Sequence, residues 1–285
     1  MGTVFHCQAQ AKINLSLRVV RRRSDGYHEL DSLMARLDLA DNLILSFLGA
    51  AGRDELSAVN QLPRPLPDGF EGPDNLILKA IRAYRSQCGW PEKAVRVFLE
   101  KNIPFGAGLG GGSADCAAAL ELLNRAAPQP LTAPALAELG LYLGADVPFF
   151  LFGRPLARAE GVGEKLSEPP AEAFFWLGRE LLLVNPGFEL STASVFKKLG
   201  LTNGAANNNL GPVSEPLPGE NDLLSPALAL APELASAAEA VADLGPEAWG
   251  LSGSGPTFWL YGRNLSAETV AEKLPACWVR PAFIC

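Results

Sequence analysis

Residues 104–115 read Pro-Phe-Gly-Ala-Gly-Leu-Gly-Gly-Gly-Ser-Ala-Asp, with five glycines between Gly106 and Gly112. A strand-like run, AVRVFLE at 94–100, precedes this stretch, and an alanine-leucine run at 116–123 follows it. Strand, glycine loop and helix start together make a phosphate-binding geometry. Glycine admits φ > 0 and a close backbone approach, and the unpaired N–H groups of a helix's first turn carry partial positive charge. Ser113 is the expected N-cap of that helix, with Asp115 in its first turn. An ordinary glycine-rich connection is the plainer alternative; the flanking strand and helix favour phosphate.

The common phosphate loops fail one by one. Gly106, Gly108 and Gly111 match GxGxxG literally, but a dinucleotide fold also needs a second strand ending in an acidic residue about 20 positions on. Residues 131–143 (LTAPALAELGLYL) instead carry a helical pattern. A Walker-type loop ends in Gly-Lys-Ser/Thr, and no lysine lies between Lys101 and Lys165. The His-Arg-Asp and Asp-Phe-Gly companions of protein kinases are also missing.

A chain of 285 residues has ample length for one large or two medium domains. Its net charge of −7 argues against nucleic acid or an acidic membrane surface, whose affinity comes from clustered Lys and Arg. The basic run Arg21-Arg22-Arg23 reads as a solvated turn between strands. Five cysteines without CxxC spacing, beside only two histidines, make a structural zinc site a poor fit. Free thiols point to a reducing cytoplasm. The N-terminal stretch MGTVFHCQAQAK has no apolar signal core, and no apolar window approaches the roughly 18 residues of a membrane span. A cytoplasmic protein without membrane or nucleic-acid partners is therefore expected.

Val4 to Val20 alternates as a strand, and Ser32 to Leu48 reads as one or two more, with a long connection over 21–31. Gly49 to Asp74 reads as loop, Asn75 to Arg85 as a helix, and Pro148 as closing a helical run. Leu181 to Val184 reads as a buried strand, Gly204 to Gly219 as a polar loop and Ala227 to Leu244 as one alanine-rich helix. Trp249 to Gly262 reads as strand, glycines, strand, and the C-terminus as a short strand. Strands and helices are mixed without strict alternation, so the expected class is α+β.

Three separated segments resemble the motifs of the GHMP small-molecule kinases: Ala11-Lys-Ile-Asn-Leu, the 104–115 loop, and Leu251-Ser-Gly-Ser-Gly-Pro. Further pieces follow in that family's order: Asp25-Gly-Tyr-His-Glu-Leu, Leu143-Gly-Ala-Asp-Val-Pro-Phe-Phe, Ala159-Glu-Gly-Val-Gly-Glu and Glu220-Asn-Asp-Leu. They resemble most the branch that acts on a cytidine-diphosphate-linked methylerythritol. The resemblance implies a two-domain architecture: an S5-like ATP-binding and catalytic domain (1–157) and an α+β substrate-binding domain (158–285), with the site in a cleft between them. It implies transfer of the ATP γ-phosphoryl group, with Mg2+, to the 2-hydroxyl of 4-(cytidine 5'-diphospho)-2-C-methyl-D-erythritol in non-mevalonate isoprenoid synthesis.

Carried residue by residue, the resemblance makes Asp146 the catalytic aspartate, able to accept the hydroxyl proton, and Lys12 the catalytic lysine. On an alternating strand Lys12 shares a face with Asn14. The ATP-binding set is Pro104, Phe105, Gly106, Ala107, Gly108, Leu109, Gly110, Gly111, Gly112, Ser113, Ala114 and Asp115. Asn14, Tyr27, His28, Thr192, Phe196, Gly253, Ser254 and Gly255 form the substrate set, with Tyr27, His28 and Phe196 as the flat surface and hydrogen-bonding edge for a cytosine. Ser113-Ala114-Asp115 stands where many relatives have Ser-Ser-Asn, which leaves open the side chain that meets phosphate or metal. A homoserine- or mevalonate-type kinase, and a non-catalytic nucleotide- or RNA-binding module, remain as alternatives. Both a monomer and a homodimer fit.

Overall fold

The computed structural model describes residues 4–285 apart from 50, 203 and 205–216. The chain forms two compact units, one from segments 1–11, 39–104 and 110–153, the other from 12–38, 105–109 and 154–285. Two long strands, β1 (Val4–Arg22) and β2 (His28–Phe47), run through both units.

In the first unit, the far end of β2 pairs antiparallel with β4 (Val95–Lys101), and β3 (Glu55–Asn60) adds to β4 in parallel. Period-two alternation buries Val95, Val97 and Leu99, and places Lys101 on that same inner face. Asn75 caps α1 (Leu76–Cys88), accepting from the Ile77 N–H, and α1 buries Ile77, Leu78, Ala80, Ile81 and Tyr84. The remaining helices are α2 (Gly111–Ala126), α3 (Ala133–Leu143) and the short α4 (Val147–Leu151). The alanines of α2, Ala117 to Ala119, are buried.

In the second unit, the first part of β2 pairs with β5 (Leu156–Gly161), which pairs with β6 (Lys165–Ser167). A separate antiparallel sheet has the order β10-β7-β9-β8, from β7 (Glu180–Asn185), β8 (Ala248–Leu251), β9 (Phe258–Tyr261) and β10 (Trp278–Phe283). Val184, Leu251, Phe258 and Leu260 of that sheet share a core with Leu17 and Val19 and with helices α5 (Thr192–Leu199), α6 (Leu224–Leu230), α7 (Pro232–Asp243) and α8 (Ala267–Lys273). This mixed arrangement is α+β.

Several local expectations need correction. The β1–β2 connection is a tight turn at 23–27, closed by Arg23 N–H donating to the Tyr27 carbonyl. Strand β3 lies where a loop was expected; it buries only Leu56, so its alternation is faint. Pro148 begins α4 instead of closing a helix, because proline suits a first turn whose N–H groups lack partners. The alanine-rich stretch is two helices, since Pro232 pushes Ala231 into extended backbone (φ −133) and restarts the helix. Helix α8 starts at the N-cap Ser266, whose side chain accepts from the Thr269 N–H, with Glu268 in its first turn. Of the polar loop expected at 204–219, residues 205–216 lie outside the described residues.

Candidate active site

Strand β1 carries Lys12, Asn14 and Ser16 to buried positions on one face, as its alternation requires. Lys12 Nζ donates to Asn14 Oδ1 at 2.7 Å, and Asn14 Nδ2 donates to Ser32 Oγ at 2.8 Å. Ser32 Oγ passes its hydrogen back to the Ser16 carbonyl at 2.6 Å. The Asn14 main chain is held too: its carbonyl accepts from Trp259 Nε1 at 2.9 Å, and its N–H donates to Ser252 Oγ at 3.3 Å. The side chain sharing a face with Lys12 is thus locked from both sides.

The turn at 252–255 sits over this pair. Gly253 and Gly255 both take left-handed φ, 58 and 88. A Cβ on Gly253 would lie 3.5 Å from Asn14 Oδ1 and 3.6 Å from Lys12 Nζ, so the missing side chain keeps an approach to the amine open. Ser254 Oγ and Thr192 Oγ1 share a hydrogen bond of 2.8 Å, joining two residues of the expected substrate set.

Residues 105–109 of the glycine loop belong to the same unit. Lys12 N–H donates to the Leu109 carbonyl at 2.9 Å and Ser252 Oγ to the Gly108 carbonyl at 2.8 Å. Glycine is obligatory at 108: φ is +75, and a Cβ would stand 2.3 Å from the Ser252 carbonyl oxygen.

Residues 110–115 belong to the first unit. The N-cap of α2 is Gly110 in left-handed conformation (φ 69), with no side-chain cap bond. Ser113 is therefore inside the first turn instead of at its cap, and Asp115 lies beyond that turn. The first-turn N–H groups carry no side-chain cap, which suits them to an anion. Asp115 faces inward, 3% exposed, and accepts from Lys101 Nζ at 2.9 Å; Lys101 also pairs with Asp41, whose other oxygen accepts from Ile103 N–H at 2.9 Å. Burial, with Asp41 alongside and Lys101 opposing, pushes Asp115 up to about 7. Lys101 and Asp41 were not singled out in the sequence, although the alternation of β4 gives Lys101 its inward direction.

Gly144 ends α3, and Asp146 opens α4 without spending its carboxylate on a cap bond. A Cβ on Gly144 would lie 3.9 Å from Ser113 Oγ, so this corner adjoins the first turn of α2.

The 23–27 turn leaves Tyr27 64% exposed and places His28 against Phe196, ring centroids 4.6 Å apart at 24°. One face of each ring is thereby already covered. His28 Nε2 is buried with no hydrogen-bond partner, and burial together with Arg22 holds its pKa below the usual value, so the imidazole is neutral at pH 7. Phe196 lies one helical turn after Thr192 on α5, packed against the core.

The glycine loop thus runs into an uncapped helix start, and the buried lysine-asparagine pair lies under a glycine turn. Residues 75–154 match the family described as GHMP kinases N terminal domain. Within that class the chain belongs to the 4-diphosphocytidyl-2-C-methyl-D-erythritol kinase family. It is 38% identical over 272 residues to the kinase of that name from Syntrophotalea carbinolica, covering 93% of this chain and 92% of the relative. The kinase of that name from Rhodopseudomonas palustris is 40% identical over 296 residues, covering 95% and 94%. A crystal structure of 4-(cytidine 5'-diphospho)-2C-methyl-D-erythritol kinase matches with a TM-score of 0.74 at 34% identity, over 98% of this chain and 99% of that one.

Proposed function

We propose that this chain phosphorylates the 2-hydroxyl of 4-(cytidine 5'-diphospho)-2-C-methyl-D-erythritol with ATP, a step of non-mevalonate isoprenoid synthesis. The observation that carries this reading is near full-length similarity, at 38–40% identity, to kinases of that name. The local chemistry agrees with it. Phosphoryl transfer asks for positioning, charge neutralisation and a base near the attacking oxygen. Asp146 accepts the hydroxyl proton, and Lys12, oriented by Asn14, steadies the reacting oxygens.

Backbone N–H groups between Gly106 and Ser113 hold the ATP phosphates, with Pro104, Phe105 and Ala114 shaping the loop, while Asp115 anchors α2 from beneath through Lys101. Magnesium is an oxygen-seeking ion, and the Ser113 hydroxyl, in the first turn of α2, would hold it together with phosphate oxygens, where it neutralises charge on the transferring group. His28, braced on Phe196, offers its unpartnered Nε2 to a base edge, with the exposed Tyr27 ring as a stacking surface. Gly253, Ser254, Gly255 and Thr192 border the acceptor. In the same reading, residues 1–157 serve ATP and catalysis and also supply Asn14, Tyr27 and His28 to the acceptor, residues 158–285 complete substrate binding, and the protein works in the cytoplasm, in keeping with its five free thiols. Among the described residues no helix is long and apolar enough to cross a membrane.

The test is ATP consumption with the cytidylyl acceptor, homoserine and mevalonate in parallel, with the product's phosphate position read by phosphorus NMR. Turnover confined to homoserine or mevalonate would reassign the substrate. Nucleotide binding without any turnover would favour a non-catalytic module.

A further inference from the structure

The segment Glu220-Asn221-Asp222-Leu223 runs alongside the strand that carries Lys12 and Asn14. Gly219 N–H donates to the Leu15 carbonyl at 2.7 Å, Leu17 N–H to Glu220 at 2.8 Å, and Asp222 N–H back to Leu17 at 3.0 Å. The Asp222 carboxylate accepts from Val19 N–H at 2.7 Å. The segment is thus fastened to β1 at every second residue from 15 to 19.

From that footing the Asn221 side chain reaches the glycine turn. Its Nδ2 donates to the carbonyls of Leu251 and Gly253, both at 2.8 Å, and its Oδ1 accepts from Leu223 N–H at 2.8 Å. Both amide hydrogens and the carbonyl oxygen are engaged, so its direction is fully specified. Gly253, one of the two residues it grips, is the residue whose α-carbon looks onto Lys12 Nζ and Asn14 Oδ1. Two left-handed glycines make the 252–255 backbone intrinsically soft. A fork with two attachment points, two residues apart, fixes orientation as well as distance. Neither a hydroxyl nor a carboxylate can supply it.

We propose that Asn221 is a positioning residue for phosphoryl transfer: it sets the placement of the Gly253-Ser254-Gly255 turn over Lys12, referenced to the same strand that carries Lys12. The inference rests on the site assigned above. Misplacement of reacting groups by about 1 Å costs on the order of 10²-fold in rate. Asn221→Asp keeps an acceptor for Leu223 N–H but turns lone pairs toward two carbonyls.

The experiment compares Asn221→Asp, Asn221→Ala and Val270→Ala, the last a buried residue of α8 in the same core. Steady-state kinetics, melting temperature and hydrogen exchange of residues 252–257 are measured for each. Either Asn221 variant should lower kcat by roughly 10- to 100-fold, leave KM for ATP within about threefold, and speed exchange in the turn beyond any global change. Val270→Ala should lower the melting temperature and leave kcat within about twofold. Asn221→Ala carries the test if Asn221→Asp does not fold, because it removes the fork without setting a charge against the two carbonyls. An equal kcat loss in Val270→Ala at matched melting temperature would overturn the proposal. So would unchanged kcat in the Asn221 variants. If the unaltered protein transfers no phosphoryl group to the cytidylyl acceptor, the assigned function fails and the role in transfer fails with it; turn exchange then decides the placement alone, faster exchange supporting Asn221 as the residue that sets the turn and unchanged exchange overturning it.

Discussion

The Ser252 hydroxyl donates to the Gly108 carbonyl at 2.8 Å, joining the C-terminal glycine turn to the 104–115 glycine loop across 144 positions of sequence. The contact exists because Gly108 has no side chain: a Cβ there would meet the Ser252 carbonyl oxygen at 2.3 Å and that of Gly255 at 2.9 Å. Gly108→Ala is therefore expected to lose about 1–3 kcal/mol from left-handed strain alone, and more from the clash with backbone. Chemical denaturation checks this; a variant as stable as the parent would show that the turn and loop separate freely.

Gly112→Ala should behave oppositely. Position 112 is helical, and a Cβ would only touch Leu76 Cδ1 at 3.8 Å. Alanine there should leave stability unchanged or raise it by about 0.5–1 kcal/mol. If the start of α2 holds the ATP phosphates, the added methyl should nevertheless raise KM for ATP about tenfold or more. Unchanged ATP affinity in this folded variant would argue that phosphate lies elsewhere.

Asp146→Asn and Lys12→Met should each lower kcat by at least about 10²-fold while circular dichroism stays native. Methionine retains the packing of the buried lysine stem. If both groups serve the same transferring oxygen, the double variant should fall far short of the product of the two losses. Single losses under about tenfold would remove these residues from the chemistry.

Tyr27→Ala should raise KM for the cytidylyl acceptor about 5- to 100-fold, the equivalent of one stacking surface worth about 1–3 kcal/mol. Because Tyr27 is 64% exposed, its melting temperature should barely move. Phe196→Ala should raise the same KM and also destabilise the fold, since the ring supports both His28 and the core. ATP affinity should be preserved in both, and equal losses for ATP and acceptor would contradict the base-binding role.

Asp115 supplies a pH signature. Burial, reinforced by Asp41 and opposed by Lys101, raises its pKa from 3.8 to about 7. The unfolded chain releases this proton first, so the stability it contributes is complete below pH 3.8 and is lost as pH rises through 7. Asp115→Asn cannot titrate and still accepts from Lys101. Melting curves of the two proteins should show the variant gaining on the parent from pH 4 to pH 7, then running parallel. A constant difference across that window would mean that Asp115 is ionised throughout.

Much of the second unit's hardware was legible in the sequence because it is periodic. The alternation of β1 put Lys12 and Asn14 on one face, and the structure joins them by a 2.7 Å bond. The glycines at 253 and 255 announced a turn, and both adopt left-handed backbone. Helix ends were read less well. Ser113 looked like a cap because capping residues are recognised by type, whereas Gly110 ends the loop by conformation alone. The two helices around Pro232 were merged because alanine-rich composition masks a boundary that one fixed φ creates.

What the sequence by itself determined was local: residue type, period, and where glycine is needed. The tertiary structure alone decided the partners of side chains far apart in the chain. Nothing near Lys101 foretold that Asp41 and Asp115 would enclose it, nor did the spelling Glu-Asn-Asp-Leu show that Asn221 would hold Leu251 and Gly253. A hydrogen bond acts only over about 3 Å, and sequence separation carries no information at that scale. Folding brings such groups within reach, and burial then makes each pairing obligatory, because an unpaired polar group away from water costs about 1–3 kcal/mol.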